Sequence, residues 1–254
     1  MPDRVLFIGD IIGKPGRRAL PGFLRRVLSE FDLDLIVANG ENAAGGIGIT
    51  PEVAEEILEA GVDVITTGNH VWHYKEIIPY LEDENFPILR PLNYPEGVPG
   101  KGYIRKGKFI VVNLMGRVFM KEIECPFRKM DLFLENMDSG TVLIDFHAEA
   151  TSEKNALGWY LDGRVGAVVG THTHVGTIDA KILPKGTAYI TDIGMVGPKD
   201  SVIGDDVESV IRRFLTLMPH RLSVGKGNVI FNSVLVEFDD RGKAKSIRRI
   251  DLEE

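Results

Sequence analysis

Short β-rich runs alternate with amphipathic helical stretches through the first half of the 254-residue sequence. Residues 5–9, 35–39 and 62–67 are predicted strands, because each is a short apolar run followed by a glycine-containing polar segment. Thr50 and Pro51 are typical of a helix N-cap and the first helical residue. Parallel strands joined by crossover helices produce such an alternation. The sequence therefore predicts an α/β fold.

The rest of the chain is less regular, with prolines at positions 87, 91, 95 and 99. We expect a lid or a sheet edge near 87–120, with a hairpin over 103–114, and a second, more antiparallel sheet beyond residue 174. No linker separates the halves, so we predict a single domain over 1–254, built as a four-layer α/β/β/α sandwich. Further helices are predicted over 130–137, 156–161 and 207–217, and further strands over 142–146, 166–169, 181–183, 188–191, 229–238 and 246–250.

Bulk properties exclude several partners. The formal net charge of −7 argues against a broad cationic surface for extended duplex nucleic acid, but it leaves a local nucleotide site open. The sequence has no apolar stretch near the ~18–20 residues that a membrane-spanning helix needs. Cys125 is the single cysteine, so a metal site must use nitrogen and oxygen ligands. We expect a cytoplasmic protein without a membrane partner, and a homo-oligomer is compatible with the sequence.

Five polar clusters share one context, because each directly follows an apolar β run. The carboxyl ends of strands line the ligand crevice in open α/β sheets, so distant chain segments can meet there. Two carboxylates, two carboxamides and four imidazoles offer enough oxygen and nitrogen for two transition-metal ions. Glu41 is the candidate bridge, which would hold the ions about 3.5–4 Å apart. The clustered residues are Asp10, Glu41, Asn42, Asn69, His70, His147, His172 and His174.

Most of these clusters have a structural interpretation when each is taken alone. Asp10 and the pair Glu41–Asn42 could form polar turns, and Asn69 could cap a helix that begins just after it. His147 could be a hydrogen-bonded histidine of the core. The coincidence of five such clusters nevertheless favours a metal centre.

His172 and His174 are the hardest pair to explain without a ligand. Residues at i and i+2 lie on one face of a strand, or converge in one loop. Two glycine-rich segments, 13–16 and 45–48, do not match the spacing of nucleotide-binding loops. We expect these segments to form the rim of the pocket, with a nucleotide loop as the alternative.

Five sequence blocks carry a resemblance to a known family: GDIIGKPGR, NGENAAGGIG, TTGNHVW, DFHAEATSEK and GTHTHVGT. Together they resemble the calcineurin-like metallophosphoesterases and, within them, the YmdB-like family, over essentially the whole chain. The broader superfamily has Asp-x-His in its first motif and an aspartate in its second. In this chain Ile12 stands in place of the histidine and Glu41 in place of the aspartate. Both departures match the YmdB-like pattern. The resemblance implies the metallophosphoesterase form of the sandwich.

The resemblance also implies roles for the site residues. One ion would be held by Asp10, Glu41, Asn42 and His174, and the other by Glu41, Asn69, His147 and His172. His70 is implied as the group that protonates the leaving oxygen, a role that suits an imidazole near neutral pH. An orienting, structural His70 is the alternative. Two divalent or trivalent ions are expected, iron or manganese, with zinc or magnesium as alternatives.

The leading functional hypothesis is hydrolysis of a small phosphodiester, and the resemblance implies 2′,3′-cyclic nucleotides as substrates. A second hypothesis is a regulatory protein that binds nucleotide or RNA, with weak incidental hydrolysis. A third is another metal-assisted hydrolase, such as an amidase, because similar ligands serve both reactions.

Overall fold

The computed structural model describes residues 2–254, which form twelve strands and six α-helices. A short 3₁₀ helix, Lys75–Ile77, precedes α3. The helices are α1 (Gly13–Glu30), α2 (Pro51–Glu59), α3 (Ile78–Glu82), α4 (Pro126–Glu135), α5 (Thr151–Leu161) and α6 (Val207–Thr216). The strands are β1 (Asp3–Ile11), β2 (Leu35–Asn39), β3 (Val64–Thr66), β4 (Tyr103–Lys106), β5 (Phe109–Met115), β6 (Thr141–His147), β7 (Ala167–Thr171), β8 (Lys181–Ile182), β9 (Ala188–Ile190), β10 (Met195–Pro198), β11 (Val229–Phe238) and β12 (Ala244–Glu253).

The strands of residues 2–254 form two six-stranded sheets, with the orders β12-β11-β10-β1-β2-β3 and β4-β5-β6-β7-β9-β8. In the first sheet β1 pairs in parallel with β2 and β10, while its first half pairs antiparallel with β11. In the second sheet β5, β6, β7 and β9 run parallel. The parallel strands of each sheet therefore end at one common edge.

Side chains of β1 alternate between two cores, as a strand buried on both faces requires. Leu6 and Ile8 pack with Phe23 of α1, on the helix side of the first sheet. Phe7 instead packs in a cluster with Val111 of the second sheet. A third cluster joins the outer face of the second sheet to α4 and α5. The predicted four-layer α/β/β/α order is therefore confirmed.

Local helix signals in the sequence are reproduced in α2. The Thr50 hydroxyl accepts a hydrogen bond from the backbone N–H of Val53 at 3.4 Å, and Pro51 begins the helix. A side-chain oxygen at this position satisfies one of the N–H groups that lack a partner within the helix. Gly61, with φ of 110°, follows the helix end as predicted.

The predicted composition of the two sheets was wrong. Strands beyond residue 174 were expected to build a second, more antiparallel sheet, but β10, β11 and β12 join β1 to β3 in the first sheet. The second sheet comes from the middle of the chain, β4 to β9. Strand β10, which the sequence patterns did not predict, sits beside β1 with Met195 opposite Asp10. Periodicity identifies a strand but does not specify its partner, because pairing depends on contacts distant in sequence.

The 87–120 segment contains both exposed and buried parts. Strand β4 lies at the edge of the second sheet, and β5 beside it is buried along its whole length. The two strands form the predicted antiparallel hairpin. A single domain over 1–254, of which Met1 lies outside the described residues, stays a prediction. Among residues 2–254, no helix combines the length and the apolar character that crossing a membrane requires.

Candidate metal centre

The predicted site residues lie at the carboxyl ends of parallel strands in both sheets. Asp10 is near the end of β1, and His147 is the last residue of β6. The remaining residues follow β2, β3 and β7 directly in the chain. The edges where these strands end adjoin, because the two sheets pack face to face. Seven of the eight side chains are connected by the contacts described below, and Asn69 lies beside His70 in the chain.

Glycines before these residues allow the clusters to approach one another. A Cβ atom on Gly68 would overlap the His147 ring and a carboxylate oxygen of Glu41. A Cβ atom on Gly170 would overlap the carbonyl oxygen of Thr191. Close approach of backbone to a functional group is a principal use of glycine. These two positions therefore require glycine for lack of space.

Glu41 lies at the centre of the cluster and is fully buried. Its Oε1 atom is 2.9 Å from His147 Nε2 and 3.3 Å from His70 Nδ1. Its Oε2 atom accepts a hydrogen bond from the backbone N–H of His70 at 3.1 Å. Burial alone would raise the pKa of this carboxyl, but the neighbouring charge and hydrogen bonds of His147 and His70 hold the pKa well below its ordinary value.

Asp10 is also fully buried, on the other side of the cluster. Its Oδ1 atom is 3.6 Å from His174 Nε2, and its Oδ2 atom accepts from the backbone N–H of His172 at 3.0 Å. Burial lowers the pKa of His174, but the Asp10 carboxylate overcomes this effect and raises the pKa to about 9. The carboxylates of this cluster thus draw positive charge onto nearby imidazoles.

Asn42 connects two of the imidazoles. Its Oδ1 atom is 3.1 Å from His70 Nδ1, and its Nδ2 atom is 3.1 Å from His174 Nε2. The other nitrogen of His174, Nδ1, lies 2.7 Å from the carbonyl oxygen of Ile203 and must donate to it. Nε2 of His174 is thereby directed at the interior of the cluster, where its lone pair becomes available once its proton is lost.

The orientation of His147 is determined by Thr171 and Asp145. The Thr171 hydroxyl donates to Asp145 Oδ1 at 2.6 Å, so it accepts from His147 Nδ1 at 3.0 Å. This arrangement leaves Nε2 facing Glu41, and Nε2 also lies 3.0 Å from His172 Nδ1. Burial raises the pKa of Asp145 to about 6. Sequence analysis missed this supporting role, although Asp145 and His147 share one strand face by their spacing.

The loop that carries His172 and His174 has an unusual backbone. Both residues have positive φ, 96° and 63°, which side chains other than glycine rarely adopt. Of the two predicted arrangements, the loop is the one observed. Between the two histidines, Thr173 donates from its N–H and its hydroxyl to Asp192 Oδ2 at 3.2 and 2.7 Å. The Lys154 ammonium group donates to the same oxygen at 2.6 Å.

Sequence analysis missed Lys154 and Asp192 as residues that support this loop. Lys154 belongs to the DFHAEATSEK block and is almost fully buried, which charge alone could not have indicated. Asp192 follows β9 as the other clusters follow their strands, and this context could have identified it. Glu149 was also missed: its Oε2 atom lies 3.0 Å from His172 Nε2 at the mouth of the site.

The alternative interpretation of Asn69 as a helix cap is wrong, because residues 69–72 form turns and 73–74 a bend. The open part of the site is a cavity of ≈270 Å³. His70 lines this cavity, together with Gly46 of the second glycine-rich segment and Ile12 of the first motif. The second glycine-rich segment therefore contributes to the rim of the pocket.

The donor set fits a metal ion. Within residues 2–254, three buried oxygens of these site residues accept no hydrogen bond of good geometry, although Glu41 Oε1 lies 2.9 Å from His147 Nε2. These oxygens are Asp10 Oδ1, Glu41 Oε1 and Asn69 Oδ1. Buried polar atoms are nearly always paired, so buried carboxylate oxygens left unpaired beside imidazole nitrogens fit a bound cation. Glu41, His147 and His172 each offer one ligand atom, and these atoms lie within 4.8 Å of one another. Oxygen and imidazole nitrogen together suit transition metals.

A model of the YmdB-like protein family matches residues 6–250. The 2′,3′-cyclic-nucleotide 2′-phosphodiesterase of Bacillus subtilis strain 168 is 47% identical over 254 residues, covering 97% of this chain and 96% of that protein.

Two solved structures also match. A hypothetical protein from Thermus thermophilus superposes with a TM-score of 0.93 at 46% identity, over 99% of each chain. A phosphatase from Mycoplasma pneumoniae superposes with a TM-score of 0.94 at 34% identity, over 100% of this chain and 94% of that one.

Proposed function

Because this chain belongs to the YmdB-like family, we propose that it is a metal-dependent phosphodiesterase that hydrolyses 2′,3′-cyclic nucleotides. The observation that carries this proposal is the set of three unpaired buried oxygens, on Asp10, Glu41 and Asn69, together with the open cavity that Glu41 lines. Two buried carboxylates that still have unpaired oxygens can bind metal cations. Bound cations would in turn attract the phosphate group of a substrate.

We propose two ions bridged by Glu41, with Asp10, Asn42 and His174 on one ion and Asn69, His147 and His172 on the other. Iron or manganese is the proposed metal, and zinc or magnesium the alternative. Bound ions of this kind polarise phosphoryl oxygens and supply hydroxide near neutral pH. Asn42 is the ligand least favoured by the geometry, because its Oδ1 atom is already 3.1 Å from His70 Nδ1.

The chain's own groups would position the reaction and move one proton. Hydrolysis of the cyclic diester breaks the bond between phosphorus and O2′, adds hydroxide to phosphorus, and leaves a 3′-phosphate and a 2′-hydroxyl. His70 lines the cavity and is held at Nδ1 by Asn42 and Glu41, so its Nε2 atom is the proposed proton donor to O2′.

The proposed location is the cytoplasm, where Cys125 would remain a free thiol.

The test is hydrolysis of 2′,3′-cyclic AMP by the metal-loaded protein, with the product identified by chromatography and the metal content measured separately. We expect 3′-AMP as the product. The His70→Ala variant should lower kcat by about 10²–10⁴-fold while retaining metal, and His73→Ala, outside the cavity, serves as the matched control. Tight nucleotide binding that survives removal of the metal, without turnover, would favour the regulatory alternative. Turnover of amides alone would favour another hydrolase.

A further inference from the structure

Two grooves continue outward from the metal cavity. The apolar groove, ≈550 Å³, shares Ile203 and Asp205 with the cavity. The basic groove, ≈520 Å³, shares Leu222 with the apolar groove and is lined by Gly45, the neighbour of cavity-lining Gly46. The cavity and both grooves therefore adjoin one another through shared or neighbouring residues. The apolar groove is further lined by Val202, Val210, Arg213, Phe214 and Leu217, and the basic groove by Lys14, Arg221 and Lys226 among others.

The apolar groove presents an aromatic side chain to solvent. Phe214 is 76% exposed and Leu217 is 87% exposed, both at the end of α6. An exposed aromatic ring beside a site for phosphate offers a stacking surface for a nucleobase. Arg213 lines the same groove and adds a cation, which also stacks on bases.

The basic groove is positive in a chain whose net charge is −7. Lys14, Arg221 and Lys226 line it, and its lining contains no carboxylate among the described residues. The nearby Asp206 carboxylate is engaged in the N-cap of α6, where it accepts from the N–H of Ser209 at 2.9 Å. Three cations in one groove are suited to a phosphate backbone.

Asp205 lies where the cavity meets the apolar groove. Its carboxylate would repel a phosphate, so the ligand must present hydroxyl or amino groups at this point. A nucleoside that lies between two phosphates presents hydroxyl and amino groups at this point. The order along the surface is then phosphate site, nucleoside site and second phosphate site.

We propose that the substrate is the 3′ end of a short single-stranded RNA that terminates in a 2′,3′-cyclic phosphate. The cyclic phosphate occupies the metal cavity, the terminal base stacks on Phe214, and a preceding phosphate binds in the basic groove. This inference rests on the proposed function, and it adds a second phosphate and a chain direction to it. Water still adds across the bond from phosphorus to O2′, so the RNA product carries a 3′-phosphate.

The experiment compares kcat/KM for 2′,3′-cyclic AMP with kcat/KM for an adenosine trinucleotide that ends in a 2′,3′-cyclic phosphate. We expect the trinucleotide to be favoured at least about tenfold at low salt, mainly through KM, because one or more phosphate contacts are added while the terminal base is common to both substrates. The ratio should fall as salt rises, with a log–log slope of about −0.7 for each phosphate contact.

Matched variants test whether the basic groove causes the preference for the trinucleotide. Replacing Lys14, Arg221 and Lys226 together by glutamine should bring the ratio towards one. The control replaces Lys185, Arg241 and Lys243 by glutamine, because these residues line a separate cleft at the amino ends of β6 and β7. The control should retain the ratio of the parent protein.

The aromatic contact has its own pair of variants. Phe214→Ser should lower kcat/KM several-fold for both substrates, because both present the terminal base, whereas Leu132→Ser, at an exposed apolar residue of α4, should leave both values unchanged. Light scattering of the same two variants reports the oligomeric state. A parent oligomer that dissociates in Phe214→Ser, with kcat/KM unchanged for both substrates, would assign this face to a second copy of the chain and overturn the proposal.

A parent ratio of one at every salt concentration would overturn the proposal while leaving the proposed function intact. An equal fall of the kcat/KM ratio in both triple variants would also overturn the proposal, because the preference for the trinucleotide would then depend on net charge and not on the basic groove. Absence of turnover on both substrates in the metal-loaded parent would refute the proposed function, and the RNA inference with it.

Discussion

The Lys154 ammonium group and the Asp192 carboxylate form a buried ion pair, with Nζ and Oδ2 2.6 Å apart. Their side chains are 2% and 0% exposed. Lys154 also donates to the carbonyl oxygen of Thr171 at 2.8 Å, and Asp192 accepts from the residue between the two loop histidines. The pair thus fixes the backbone that carries two proposed metal ligands.

Breaking this pair should be strongly destabilising. Lys154→Met leaves a buried carboxylate uncompensated, which should lower the free energy of unfolding by about 3–5 kcal/mol. The double variant Lys154→Met, Asp192→Leu should recover part of that loss, since neither charge then remains buried alone. Lys199→Met is the control, because Lys199 pairs with Glu253 on the surface and its loss should change the free energy of unfolding little. Urea unfolding measures all three, and equal losses for Lys154 and Lys199 would contradict the argument.

Thr171→Val should weaken metal binding and lower the free energy of unfolding by about 1–3 kcal/mol, because two buried groups lose a hydrogen-bond partner. The substitution removes the hydroxyl that accepts from His147 Nδ1, so the ring is no longer fixed with Nε2 towards Glu41. Such outer contacts typically contribute about 10–100-fold in metal affinity. Competition with a chelating dye measures the change. Thr66→Val is the matched control, because the Thr66 hydroxyl donates to the same Asp145 carboxylate without contacting His147; an equal loss in both variants would point to Asp145 in general.

Gly68→Ala should disrupt the proposed metal centre, because there is no room for the added methyl group. The added methyl group would overlap the His147 ring and the Glu41 carboxylate, so we expect loss of tight metal binding and a destabilisation of about 1–3 kcal/mol. Gly22→Ala in α1 is the control, because a methyl group there meets only side-chain ends at 3.8 Å or more. That control should be neutral or stabilising in a helix. Retained metal affinity in Gly68→Ala would be inconsistent with the described packing.

Metal uptake should release protons at neutral pH. In the metal-free protein the pKa of His174 is raised to about 9, so its imidazole carries a proton at pH 7 that a metal ion must displace. Apparent metal affinity should therefore increase as pH rises from 7 towards 9, and level off above that value. Calorimetric titrations in buffers of different ionisation enthalpy count the protons released. Binding without proton release at pH 7 would show that His174 is neutral before the metal arrives.

The sequence predicted those parts of the molecule that depend on local pattern. The strands before Asp10 and Glu41, the cap at Thr50 and the five polar clusters all follow from short-range signals. The partners of β10 to β12 could not be predicted in this way, because pairing is chosen by contacts across the whole chain. Lys154 and Asp192 were missed for a related reason: a buried charge is recognised by its partner, and the partners are far apart in sequence.

The strand that carries Asp10 depends on the far end of the chain. Val5 in β1 pairs with Val236 in β11, so one edge of β1 stays open while the chain is being synthesised. An unpaired strand edge is a template for association with other chains, and contacts this distant in sequence slow folding. A nascent chain released before β11 would therefore carry every proposed ligand and still have residues 3–8 of the Asp10 strand unpaired on one side, because β10 pairs only with Asp10 and Ile11 there. Truncation immediately before residue 229 should yield aggregation-prone protein even though no proposed metal ligand is deleted.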